Sequence, residues 1–155
     1  MALYGDLAYL ADLDRGLVAI DVSDPARIQE VATVSDTRGA WGLYVQGEWL
    51  YLGCHGAGVR VLSLADPRSP RVVGRFFDGG EAMDVWGDGR YLYVADNDDG
   101  VEVLDVEDPA HPREVAQYLR ASAHGGIDCD ADAAGDDALI YLADGRQGLL
   151  ILEFQ

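Results

Sequence analysis

The chain repeats itself every 42 residues. Tyr9, Tyr51 and Tyr93 are spaced 42 and 42 apart, and Tyr141 follows after 48. Gly16, Gly58, Gly100 and Gly148 keep the same 42, 42, 48 steps, and the pairs Asp24-Pro25, Asp66-Pro67 and Asp108-Pro109 again stand 42 apart. Four copies of one unit are present, the last cut short. A period of roughly 40–45 residues made of short strands is the spacing of a β-propeller blade. The blades are expected at approximately 1–34, 35–77, 78–120 and 121–155, within a single repeat domain.

Aligned on the period, each copy shows four segments. The first, as in Trp41-Gly42-Leu43-Tyr44-Val45, Ala82-Met83-Asp84-Val85-Trp86 and Gly126-Ile127-Asp128-Cys129, suits a tightly packed inner strand. A Gly/Asp turn follows, and in the fourth copy it lengthens to Asp130–Asp137, which accounts for the 48-residue step. The second segment is near-continuously apolar, as in Leu50-Tyr51-Leu52 and Leu92-Tyr93-Val94, and fits a strand buried on both faces. The third, Leu17–Val22 and its copies, leads into the Asp-Pro turn, where proline presets φ and aspartate bonds back to the backbone. The fourth, at 28–34, 71–77 and 113–119, mixes apolar with charged residues, as an edge strand should. No helical periodicity appears, so the fold class is all-β: a propeller of four-stranded antiparallel blades.

Charge narrows the partners. The chain carries 28 acidic against 11 basic residues, all of the latter arginine, for a net charge of −17. Such a surface repels phosphate backbones and disfavours anionic membranes, so nucleic acid is not expected as a partner. No apolar run of membrane-spanning length exists, so no membrane insertion is expected. Met1–Asp6 has neither the basic nor the apolar region of a signal peptide. Two cysteines, Cys54 and Cys129, are too few for a disulfide framework and read as free thiols.

Leu17-Val18-Ala19-Ile20-Asp21-Val22-Ser23-Asp24-Pro25 resembles the core of the LVIVD repeat. Ala8-Tyr9-Leu10-Ala11-Asp12, Leu92-Tyr93-Val94-Ala95-Asp96 and Ile140-Tyr141-Leu142-Ala143-Asp144 are similar to that family's aromatic strand, and Asp108-Pro109-Ala110-His111-Pro112 to its turn. The resemblance implies a bacterial or archaeal propeller, often within a cell-surface or secreted protein, with no assigned catalytic activity. An extracellular or cell-surface location of the parent protein is the expectation it carries. Copy two departs from the pattern at Gly53-Cys54-His55, where the usual aspartate is Cys54.

Within a blade, the loop entering the inner strand and the loop between the second and third strands share one end. That end is expected to carry Trp41, Cys54, His55, Asp12, Asp14, Asp96, Asn97, Asp98, Asp99, His124 and Asp144, with His111 and the Asp-Pro turns opposite. The ligand-binding set is Trp41, His55, Asp96, Asp98 and His124. Asp96-Asn97-Asp98-Asp99-Gly100 concentrates hard oxygen donors, and Asp96, Asp98 and Asp99 form a candidate calcium set, set against the plainer reading of a polar hairpin turn. Asp128-Cys129-Asp130-Ala131-Asp132 has the opening spacing of a calcium loop but lacks its glycine and closing glutamate. Cys54 beside His55 invites a nucleophile–base pairing, although sequence neighbours rarely face one substrate together. No catalytic residue is assigned, and no cofactor other than that calcium.

Counted strand by strand, the first and last blades are incomplete. A four-bladed ring closes only if the first inner stub and the last blade compensate; the favoured expectation is an arc or fragment of a larger ring, with an apolar face exposed at each end and self-association as one way to cover them. The functional expectation is a non-enzymatic binding or scaffold module recognising a protein or glycan. The alternative is a metal-dependent propeller hydrolase with Asp and His ligands.

Overall fold

The computed structural model describes residues 1–97, 100–118, 126–132, 138–144 and 148–154. Four antiparallel sheets follow one another, each in simple up-and-down order. Blade one holds β1 (Ala2–Tyr4), β2 (Leu7–Asp12), β3 (Gly16–Asp21) and β4 (Gln29–Val34). Blade two holds β5 (Leu43–Gln46), β6 (Trp49–Gly53), β7 (Val59–Ser63) and β8 (Arg71–Phe76). Blade three holds β9 (Ala82–Gly87), β10 (Tyr91–Asp96), β11 (Gly100–Asp105) and β12 (Arg113–Tyr118). Blade four holds β13 (Gly126–Asp132), β14 (Ala138–Asp144) and β15 (Gly148–Phe154). Among the described residues the one helical piece is a 3-10 turn at Ser35–Thr37. The all-β propeller architecture read from the period is the one observed.

The period survives at the level of register. Tyr9, Tyr51, Tyr93 and Tyr141 lie opposite Ala19, Val61, Val103 and Ile151. Each pairing of third with fourth strand shifts register at the same place, between Ala19/Ile20, Val61/Leu62 and Val103/Leu104. The turn after each third strand shows why Asp-Pro recurs. The Asp24, Asp66 and Asp108 carbonyls accept the amides of Arg27, Ser69 and His111 at 2.8–2.9 Å. Their carboxylates accept the amides of Ala26, Arg68 and Ala110 at 2.9, 3.2 and 3.1 Å. Proline in second position already has the φ this turn requires. Gly58 enters β7 at φ +71°, and a Cβ there would come within 2.3 Å of the Phe76 carbonyl. Only glycine fits such a site.

Three apolar clusters lie between successive blades. Tyr9, Leu17 and Ala19 of blade one pack with Leu50, Leu52 and Leu62 of blade two. Tyr51, Val59 and Val61 meet Leu92, Val94 and Leu104 of blade three, and Tyr93, Val101 and Val103 meet Ile140 and Leu142 of blade four. Burial of each such side chain contributes roughly 1.5–3 kcal/mol. A polar tie crosses the first junction too, where Arg68 pairs with Asp21. The outer strands β4 and β12 are largely exposed and carry Glu30, Arg113 and Glu114, which discourages strand addition.

The two ends of the series are open. Leu17, Val59 and Val101 are buried, whereas Leu149 at the same place in blade four is 65% exposed. Ala19, Val61 and Val103 are buried, and their counterpart Ile151 is 59% exposed. At the other end Leu10 is 38% exposed where Leu52, Val94 and Leu142 are enclosed. Both terminal faces are apolar, as expected for an arc.

Candidate functional site

Blade two breaks the period just where its loops meet its neighbours. Trp41 donates its amide to the Gly53 carbonyl at 2.9 Å, which sets the entry to β5 against the end of β6. The loop from Cys54 to Gly58 closes on itself: Cys54 N donates to Gly58 O, and Gly58 N to His55 O, both at 2.8 Å. His55 sits at φ +46°, the sole non-glycine with positive φ among the described residues. A side chain in that region is strained unless its surroundings hold it there. The holding contact is its own amide, which donates to Ala82 O of blade three at 2.8 Å.

This geometry separates two adjacent side chains. The His55 imidazole is 43% exposed, with Nε2 3.6 Å from Glu81 Oε2. Glu81 in turn accepts the Asn97 side-chain amide at 2.9 Å. Cys54 points the other way, buried, with Sγ 3.7 Å from the Thr37 and Leu52 carbonyls. Burial pushes its thiol up to about 12. A thiol that stays protonated and enclosed is not a nucleophile, so the Cys54–His55 pairing does not form.

Trp41, 49% exposed, stands with His55, Arg38, Leu13 and Ala57 around an open recess of about 470 Å³. Blade one supplies Leu13, and blade two the rest. The Gly39 amide, donating to Leu13 O at 2.8 Å, holds the two blades in register there. The recess offers an indole face, a guanidinium and an imidazole to a ligand. Arg38 and Leu13 were not singled out from sequence. Leu13 lies 42 residues before His55, so the period carried that signal; nothing in the sequence marked Arg38.

Asp96 ends β10 at the same end of the molecule but is 1% exposed rather than open to a surface ligand. Its carboxylate fills the space beside Gly80, where a Cβ would lie 2.3 Å from Oδ2. Asp98, Asp99 and His124 lie outside the described residues, as does the Asp130–Asp137 insertion in part. Asp12 serves its turn, accepting the amides of Asp14 and Arg15 at 3.0 and 2.9 Å. Among the described residues no group of three His, Cys, Asp or Glu side chains is arranged to hold a metal ion.

One acidic group escaped the sequence reading. Glu102 on β11 is 1% exposed, and burial above all, then its hydrogen bond with Asp78 and that carboxylate's charge, pushes it up to about 9. The same hydrogen bond holds Asp78 below the usual carboxylate range. Glu102 is thus a protonated acid donating to an ionised partner in the 77–81 loop. Its Oε1 has no hydrogen bond.

The LVIVD repeat model matches residues 1–36 and 79–120, together half of the chain. The chain belongs to the LVIVD-repeat family. The two matched stretches correspond to blades one and three, so Trp41 and His55 stand in a blade that the family model does not match. No curated protein matches the chain. Among solved structures, one titled Bacteroides ovatus Xyloglucan PUL GH43B is similar over 99% of this chain, with 16% identity and a TM-score of 0.56. The LVIVD chain spans 37% of that structure's length. At this identity the likeness shows the propeller fold alone.

Proposed function

We propose that this LVIVD chain is a non-enzymatic binding module whose ligand, a protein segment or a glycan, sits in the recess formed by Trp41, Arg38 and His55. The observation that carries the reading is Trp41 itself. Its indole is half open to solvent although its backbone is fixed by a hydrogen bond to β6. Tryptophan and arginine on a pre-set frame are the side chains that most often dominate recognition. The nearest thiol is sequestered, so the recess holds groups that bind rather than groups that attack. The family resemblance supports, as part of this proposal, a parent protein at the cell surface or outside the cell.

The test is binding of the purified chain to glycan and peptide arrays, repeated with Trp41→Ala. Hits lost in the variant while its melting temperature is unchanged support the reading. Hits that persist in Trp41→Ala sink it. The metal-dependent alternative, with Asp96, Asp98, Asp99 or His124 as ligands, is separated by heat denaturation with added calcium or zinc. A melting temperature raised by either ion favours that alternative, and an unchanged one removes it.

A second reading concerns the ends. The face of blade four that carries Leu149 and Ile151 corresponds to the face of blade one that packs on Leu50, Leu52 and Leu62. The counterparts of those leucines in blade one are Ala8, Leu10 and Ile20, on its outer face. One end therefore has the chemistry that the other end packs against, and the occupant we propose is a second copy, joined head to tail.

A further inference from the structure

At the end of the blades opposite Trp41, the junction of blades two and three opens into a cleft of about 680 Å³. Its walls are the Gln46–Tyr51 hairpin, the Gly89-Arg90 turn and the stretch from Val106 to Pro109. Nothing in the Trp41 recess touches it.

The cleft is lined by a tyrosine whose hydroxyl has no protein partner among the described residues. Tyr9 and Tyr93, at the same place in the repeat, both find acceptors: Pro67 O and Asp88 Oδ2, each at 2.8 Å. Tyr51 is 2% exposed and its hydroxyl makes no hydrogen bond among the described residues. The sequence shows why. Pro109 is the counterpart of Pro67, but its carbonyl lies against Gly74 of β8, so close that a Cβ there would come within 2.1 Å. Blade one has Ala32 at the place of Gly74. Glycine admits the Pro109 carbonyl onto β8 and leaves Tyr51 facing the opening. Burial, followed by the charge on Tyr44, pushes the phenol up to about 12, so it stays protonated and can donate to a ligand.

Charge selects what that ligand carries. Arg90 is committed to Asp105 through two hydrogen bonds of 2.9 and 3.2 Å. Glu48 and Glu107 are also on the walls, Glu107 75% exposed and 3.9 Å from the Arg90 guanidinium, within a chain of net charge −17. Trp49 adds an aromatic side chain to the lining.

We propose that this cleft binds a peptide segment bearing an arginine or lysine side chain. A backbone carbonyl of the peptide accepts from the Tyr51 hydroxyl, as Pro67 does from Tyr9. The aliphatic stem lies along Trp49, and the cation sits between Glu48 and Glu107.

The experiment is an NMR titration of the isotope-labelled full chain with acetyl-Gly-Arg-Gly-amide, with the citrulline peptide and cellobiose as parallel probes. Saturable shifts of the Gly47 and Gly89 amides and the Trp49 indole N–H, with the arginine peptide only, are expected. Glu48→Gln with Glu107→Gln should weaken binding about tenfold and remove most of its salt dependence. Tyr51→Phe should weaken it about fivefold without lowering the melting temperature, since the hydroxyl has no partner to lose. Equal binding of the citrulline peptide overturns the proposal. So do shifts confined to another surface, no shifts at millimolar peptide, or shifts of these resonances with cellobiose alone, which would make this a sugar cleft.

Discussion

The Tyr9 hydroxyl donates to the Pro67 carbonyl across 2.8 Å, and so joins the second strand of blade one to the Asp-Pro turn of blade two. The tyrosine is wholly buried, and the bond at its tip is partly screened from water. Tyr9→Phe removes the donor and strands the carbonyl, at a cost of about 1 kcal/mol in urea denaturation. Tyr51→Phe, one junction on, removes a hydroxyl with no partner and should cost nothing. Equal losses in the two variants would contradict the contrast drawn between the junctions.

Glycines at positive φ are not equivalent in this chain. Gly47 turns the β5–β6 hairpin at φ +57° with nothing within 4 Å of a Cβ, whereas Gly58 faces the Phe76 carbonyl at 2.3 Å. Gly47→Ala carries only the left-handed strain, about 1 kcal/mol. Gly58→Ala adds a backbone collision and should cost roughly 2 kcal/mol or more, by forcing β7 from β8. Circular dichroism melts of the two variants, side by side, measure the difference.

Glu102 gives the fold a dependence on pH with a defined sign. Its carboxyl is raised in the folded chain to about 9, from an ordinary 4.5, chiefly by burial. Between those values the folded state binds a proton that the unfolded state does not, so stability falls as pH rises, by up to about 1.4 kcal/mol per unit. Asp78 works in the opposite sense, since its depressed carboxyl contributes stability that is lost as pH falls through its folded value. Glu102→Gln keeps a donor for Asp78 and removes the titration. The variant should be more stable than the wild type at pH 8, and its stability should be flat between pH 5 and 9. A wild-type profile already flat over that range would rule out a protonated Glu102.

The parts of the fold legible in the sequence are those dictated by the backbone of a single unit. Gly58, Asp66-Pro67 and Tyr51 announce a strand entry, a turn and a buried aromatic, and each is found in that role. The site was legible only by halves. His55 stood out as a departure from the period and Trp41 as an aromatic on the expected loop face, and the structure brings them to one recess. Arg38 and Leu13 join them because an inter-blade hydrogen bond sets two loops side by side, a relation no single repeat encodes. Asp96 misled for a related reason: its exposure depends on Gly80 of the preceding loop, which lets the carboxylate fold inward. Glu102 was visible as an acid at the place of Val18 and Arg60, but its partner Asp78 sits 24 residues earlier in a loop outside its sheet.

The open ends give the last prediction, and the numbers behind it come from the repeat itself. Leu149 and Ile151 are 65% and 59% exposed at places that three other blades bury. Several such side chains on one sheet face form an apolar patch that water disfavours, at roughly 25 cal/mol per Å². Leu10 at the opposite end is the counterpart of Leu52, which blade one covers with Tyr9 and Leu17. Two arcs joined head to tail at both ends would bury every such face and close a ring of eight blades. Light scattering at micromolar concentration should therefore give twice the 16.7 kDa of the chain. Leu149→Glu with Ile151→Glu places charge in the contact and should return a monomer with its blade-to-blade clusters intact. Leu10→Glu, at the far end of the arc, should do the same, because a head-to-tail contact uses both faces. A wild-type chain that is monomeric across that range would sink the closed ring. A dimer disrupted by the blade-four variant and untouched by Leu10→Glu would instead mean that like faces meet.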